Sequence, residues 1–174
     1  MRLILIIGSS LLLGYIFLKD GLFNLGSIFP GAAVDANGIK QDIYFDPEKT
    51  FSSSVEQWRQ IATLESNAAG LPVSIVLAII SVESSGINGQ IGAAGERGLM
   101  QLKDVAAQDL GFGFASSDAA TNIFQGTRFL RLQIERMGMS LAGGIRAYNQ
   151  GETGAKSSPL NGLDYLMRVI AAAT

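Results

Sequence analysis

The sequence predicts an all-helical domain over residues 51–174, preceded by an apolar amino-terminal helix long enough to contact a membrane. Three observations carry this reading. Beyond position 50 the apolar residues recur at spacings of three and four, and no pair of alternating runs offers two strands. Ser, Gly and Pro stand where such helices should begin and end. Residues 3–18 are sixteen positions without a charge, bracketed by Arg2 and Lys19.

As a helix, residues 3–18 would span about 24 Å, against a hydrocarbon core of about 30 Å. Local thinning, or extension through Gly21, Leu22 and Phe23, would close the gap. A cleaved signal peptide would have a shorter apolar run, a more basic start and a small-x-small site beside it. Here the nearest small residues, Ala32, Ala33 and Ala36, lie well beyond the run. Residues 1–20 therefore read as a retained transmembrane anchor, while Gly8, Ser9, Ser10 and Gly14 leave a buried core helix open as the alternative. Residues 21–50 lose periodicity and gain Gly21, Gly26, Gly31, Gly38, Pro30 and Pro47, as a linker does; Ile43, Tyr44 and Phe45 would let it lie against the domain.

Ser53 and Ser54 each stand three residues before a Glu or Gln, offering two capping boxes. Val55, Trp58, Ile61 and Leu64 then form one stripe, Gly70 stops the helix and Pro72 opens the next. That next helix, residues 72–85, is apolar almost throughout. A turn rich in glycine follows (Gly86, Gly89, Gly92, Gly95), then a short helix to Leu110. Ile123, Thr127, Leu130, Ile134 and Met137 predict a long helix ended by Gly138; residues 141–148 give a short one, and Leu163, Leu166, Met167 and Ile170 a last one.

Composition excludes whole classes of chemistry. The 174 residues contain no His and no Cys, which removes Ser-His and Cys-His nucleophilic sites, thiolate or imidazole metal sites and every disulfide. A net charge of −2 with interspersed signs gives no footprint for nucleic acid. Carboxylates, hydroxyls and amides are what remains, and no cofactor is called for.

Among the carboxylates, Glu83 alone is embedded in a long apolar run. Ile80, Ile79, Val76 and Ile75 precede it by three, four, seven and eight residues, so they share its helical face. Partial burial there would raise its pKa toward the range of a general acid. The alternative is a helix-end Glu that reaches solvent or pairs with Arg97. A glycosidase ordinarily uses two carboxylates, so Glu83 needs either Asp104 as partner or a substrate that supplies the second group.

Four strings in register extend the reading: Ala78-Ile-Ile-Ser-Val-Glu-Ser after Gly70-Leu-Pro, Gly95-Glu-Arg-Gly-Leu-Met-Gln-Leu, Asn122-Ile-Phe-Gln-Gly and Ala147-Tyr-Asn-Gln-Gly. Over residues 55–171 the sequence resembles the catalytic domain of the soluble lytic transglycosylase family, related to goose-type lysozyme. The resemblance implies a lysozyme-like helical fold that cleaves the β-1,4 bond between N-acetylmuramic acid and N-acetylglucosamine in peptidoglycan, leaving 1,6-anhydro ends. It implies Glu83 as the single catalytic acid, with the substrate's acetamido group assisting. It places Ser84, Met100, Gln101, Tyr148 and Asn149 along the substrate groove and the hydroxyl of Tyr165 beside Glu83. For Ser84 a hydroxyl bonding back to the backbone is the alternative; for Tyr148 it is a buried ring with its hydroxyl satisfied. Leu99 and Leu102 read as core. The turn from Gly86 to Gly92 departs from the family by lacking a Pro. A hydrolytic muramidase and a non-catalytic wall-binding component are the competing readings. Peptidoglycan strands, a membrane through residues 3–18, and a secretion, conjugation or virion assembly are the implied partners, with the catalytic domain facing the wall.

Overall fold

The computed structural model describes residues 15–18, 21–24 and 33–174. Two strand pairs come first. Strand β1 (Tyr15–Leu18) pairs antiparallel with β2 (Gly21–Asn24), and β3 (Ala33–Val34) with β4 (Lys40–Gln41). The first pair differs from the expected anchor helix at the last four positions of the apolar run, which are strand, in keeping with the aromatic and β-branched residues Tyr15, Ile16 and Phe17 ahead of a polar Lys-Asp pair. Residues 3–14 of that expectation lie outside the described residues. Among the described residues no helix is long and apolar enough to cross a membrane.

The rest is helical: α1 (Ser53–Glu56), α2 (Arg59–Ala69), α3 (Val73–Ser84), α4 (Asp104–Asp109), α5 (Ala119–Arg136), α6 (Leu141–Ser157) and α7 (Leu163–Ala173). Helix α3 is the axis of the domain. Every residue from Ser74 to Ile80 is buried, which is why its sequence shows no polar face. Helices α2 and α7 flank it, while α5 and α6 pair with each other.

Segment 33–50, expected as a linker, is packed from the β3–β4 turn onward. The Asp35 carboxylate accepts the Asn37 and Ile39 amides at 2.9 Å each, and Ile39 and Ile43 are buried in the core. Lys40 N–H donates to the Met139 carbonyl and Asp46 N–H to that of Ala173. The Asp42 carboxylate accepts the Ala142 amide and the Ser140 hydroxyl, which itself caps α6 through the Gly143 amide. Tyr44, expected to lie inward with Ile43, is 61 % exposed.

Two other expectations shift. The capping boxes are not closed: Ser52 is the N-cap of α1 and makes no side-chain cap, while Glu56 accepts the Phe51 amide at 2.7 Å and grips Arg59. The chain then breaks at Trp58, and this reset turns Leu64 out to 67 % exposure, leaving Ala62 and Ser66 on the buried side of α2. Helix α5 matches its predicted stripe, with Asp118 as a cap that accepts the Thr121 amide. Helix α7 buries Tyr165, Leu166, Val169 and Ala173, a face centred beside the predicted one.

Gly86 locks the end of α3 to α1. Its φ is +78°, the indole of Trp58 donates to its carbonyl at 2.9 Å, and a Cβ built there would lie 2.1 Å from the Ser54 carbonyl oxygen. Left-handed backbone and overlap with main chain together predict that Gly86→Ala loses about 3 kcal/mol. Urea unfolding of the variant checks this, and a midpoint equal to wild type would refute it.

Candidate active site

Glu83 is the penultimate residue of α3. The helix stops at Ser85, whose φ of 52° turns the chain sharply away, so the carboxylate sits at the mouth of an otherwise buried rod. It is half-buried, and burial pushes its pKa above the ordinary carboxylate value. A hydrogen bond from Tyr165 and the positive charge of Arg168 work against that rise, while the negative charge of Glu96 adds to it.

The Tyr165 hydroxyl donates to Glu83 Oε1 at 2.6 Å from a ring that is 1 % exposed. Burial and the neighbouring Glu83 charge hold that hydroxyl in its protonated, donating form. Neither partner raised for Glu83 from sequence meets it. Arg97 and Asp104 pair with each other at 3.4 Å and both grip Ala115, the guanidinium through its carbonyl and the carboxylate through its amide.

Facing Glu83 runs the loop 86–102, folded back on itself by paired Arg97 and Leu102 amides and carbonyls. The residues assigned to the groove divide here. Ser84 is buried, and its hydroxyl is within bonding distance of the Ile80 and Leu99 carbonyls, at 3.1 and 2.8 Å, so it ties α3 to the loop. Met100 has no exposed surface: its thioether lies against Gly126, where a Cβ would come within 2.4 Å of the sulfur. Gln101 is held at φ 45° with its amide nitrogen on the Gly98 and Gln90 carbonyls, at 2.7 and 3.1 Å, leaving its carbonyl oxygen beside Gly92. Asn149 is exposed, accepting from the Gln150 amide.

Tyr148 is a core residue. It is 8 % exposed, packs edge-on to Phe129 with ring centroids 5.4 Å apart, and donates its hydroxyl to the Met100 carbonyl at 2.8 Å. A ring so placed supports the loop from behind rather than facing a sugar. Tyr148→Phe therefore strands a buried carbonyl and should cost about 1–3 kcal/mol. Thermal melts decide this; an unchanged melting temperature with reduced turnover would return Tyr148 to the groove.

Asn122 and Gln125 belong to the site's support and carried no assigned role from sequence. Asn122 Oδ1 accepts the Met100 amide at 2.8 Å, and its Nδ2 donates to the Arg97 and Ser116 carbonyls. Gln125 takes the Ser116 amide and the Phe114 carbonyl in the same way. The signal was present in Asn122-Ile-Phe-Gln-Gly, where two amides and a glycine recur at helical spacing on a face that is otherwise apolar.

A concavity of about 430 Å³ lies at the other end of α3, between Asn37, Asn67, Gly70, Arg128 and Arg131, and contains none of these groups. The chemistry of Glu83 and its neighbours outweighs that volume in locating the site. No cluster of His, Cys, Asp or Glu among the described residues is arranged to hold a metal ion.

The helical fold is one shared with a solved lytic transglycosylase. Lytic transglycosylase Slt from Pseudomonas aeruginosa, solved as an inactive glutamate-to-glutamine mutant, superposes with a TM-score of 0.51 at 22% identity, over 64% of this chain and 20% of that one. The chain belongs to the family described as the transglycosylase SLT domain, which it matches over residues 60–159. The region shared with Slt is thus a fifth of that protein's length. No curated protein matches the chain.

Proposed function

We propose that this domain is a peptidoglycan lytic transglycosylase that uses Glu83 as its acid and then its base. The observation that carries the proposal is the half-buried Glu83, raised in pKa and tied to Tyr165, within a domain of the SLT family. Protonated Glu83 gives its proton to the glycosidic oxygen between N-acetylmuramic acid and N-acetylglucosamine, and the C1–O bond breaks. The muramic acetamido group attends C1. Glu83, now a carboxylate held by the Tyr165 hydroxyl, removes the proton of the muramic 6-hydroxyl, and that oxygen closes on C1. Water is not consumed, and Glu83 ends protonated.

Glu96 favours one competing reading. Its carboxylate is kept charged by backbone amides and by Lys103 at 3.2 Å, and its field reaches Glu83. A water held by it would make the reaction a hydrolysis, with Glu96 as general base. Mass spectrometry of digested sacculi separates the two: transglycosylase products are lighter by one water than hydrolase products. Reducing ends throughout would overturn the proposal in favour of the muramidase, and intact sacculi would favour a wall-binding component.

This activity places the domain on the wall side of a membrane. Residues 3–14 are the part of the proposed anchor still available to make that attachment; release of the chain from membranes by alkaline carbonate, without detergent, would sink it. A secretion, conjugation or virion assembly is a setting in which such local opening of the wall would be used.

A further inference from the structure

Helix α7 brings a second side chain to Glu83 one turn beyond Tyr165. The Arg168 guanidinium lies over the Tyr165 ring, 5.4 Å from its centroid, while the hydroxyl at the far end of that ring donates to Glu83 Oε1 at 2.6 Å. Arg168 is exposed and makes no ion pair within 4 Å among the described residues. A guanidinium with no carboxylate of its own is set on the π face of the ring that holds the acid.

We propose that Arg168 is a positioning residue of this site, fixing the Tyr165 ring so that its hydroxyl stays on the Glu83 carboxylate and presenting a positive charge to the conjugate base formed on proton transfer. The role follows from the cycle required of Glu83. After the first step the carboxylate is a charge in a half-buried site, and only donors and cations fixed beforehand stabilise it without reorganisation. Tyr165 supplies the donor and Arg168 the cation.

The charged and titratable groups that face Glu83 are few. Helix α7 brings Tyr165 and Arg168, the loop brings Glu96 with Lys103 behind it, α6 brings Tyr148, and α3 carries no other ionisable group. Of these, Arg168 and Glu96 are the full charges whose fields act on Glu83, with opposite sign, so replacing each should move Glu83 in opposite directions.

The inference rests on the proposed role of Glu83 for its effect on turnover, and its test is chosen to stand apart from turnover. The probe is the Glu83 carboxyl carbon in the full chain, titrated by carbon NMR and assigned by its loss in Glu83→Gln. Arg168→Met should raise the midpoint by about half a pH unit, because an opposite charge favours the ionised form and an exposed one is partly screened. Arg168→Lys should restore most of that shift, and Glu96→Gln should lower the midpoint. The alkaline limb of sacculus digestion should move upward with Arg168→Met. A Glu83 midpoint unmoved in Arg168→Met, or moved equally in Arg168→Lys, would overturn the proposal. A wild-type chain that digests no wall while its Glu83 midpoint still responds to Arg168 would overturn the function and leave the positioning intact.

Discussion

Glu83→Gln should leave a folded domain whose wall-cleaving activity is reduced at least about a thousandfold, on the order of 4 kcal/mol in the barrier. The amide can neither donate a proton to the glycosidic oxygen nor remove one from the 6-hydroxyl, so both halves of the cycle fail together. Stability should not fall. The Tyr165 hydroxyl can donate to the amide oxygen as it does to Glu83 Oε1. Burial is the largest influence on Glu83 and raises its pKa above the unfolded value. A carboxyl raised in this way contributes stability that is fully present below the unfolded pKa and lost as pH rises through the folded one. Wild type has incurred that loss near neutral pH, whereas glutamine never ionises. The variant should therefore melt at or slightly above the wild-type temperature at pH 7 and show no such advantage at pH 3. A variant keeping a tenth of wild-type activity would remove Glu83 from the mechanism, and one melting well below wild type at pH 7 would contradict the raised pKa.

The same residues show what can be read from a sequence and what cannot. Glu83 could be singled out because helical periodicity is a local rule: four aliphatics at three, four, seven and eight residues before it fix its face without reference to the rest of the chain. The Ile123 to Ile134 stripe of α5 was legible for the same reason, and the structure buries all four of its predicted members from Ile123 to Ile134. Leu64 was not. Its stripe assumed one unbroken helix, and the break at Trp58 is set by the indole reaching Gly86, twenty-eight residues away. Residue type alone also could not tell Tyr148 from Tyr165. Both are buried tyrosines with satisfied hydroxyls, and one donates to a backbone carbonyl while the other donates to a carboxylate. Which partner each finds depends on the crossing of α6 and α7 with the loop. The pairing of Arg97 with Asp104 is of the same kind, since it needs the turn of residues 97–102 to bring them together. Tyr15–Leu18 shows the opposite failure, an apolar run long enough for a helix whose strand-forming end pairs with the segment just after it.

Asn122→Ala should be the most destabilising of the single truncations around this loop, at about 3–4 kcal/mol, and should lower turnover as well. The side chain is fully buried on α5 and makes three hydrogen bonds, all to main-chain groups outside its own helix. Removing it leaves the Met100 amide and the Ser116 carbonyl unpaired and takes from the Arg97 carbonyl one of its two donors, the Leu102 amide remaining. Each orphaned group costs roughly 1–3 kcal/mol, less whatever a water entering the vacated space restores. The consequence reaches Glu83 through the loop. Leu99 offers its carbonyl to Ser84, the neighbour of Glu83, and Met100 offers its own to Tyr148, so loss of the Asn122 clamp loosens two further ties at once. Amide hydrogen exchange should show Met100 exchanging faster while Ile79 and Ile80, in the centre of α3, keep protection up to the global unfolding limit. Asn122→Asp tests the donor half alone. It keeps the shape and the acceptor for Met100 but points a carboxylate at two carbonyls, so its folded pKa should rise. Its stability should approach wild type only at low pH and fall as pH rises through that value. If Asn122→Ala unfolds within 0.5 kcal/mol of wild type, a difference ordinary for a surface site, the clamp is not what holds the loop and the support of this site must be sought in Gln125 or Tyr148.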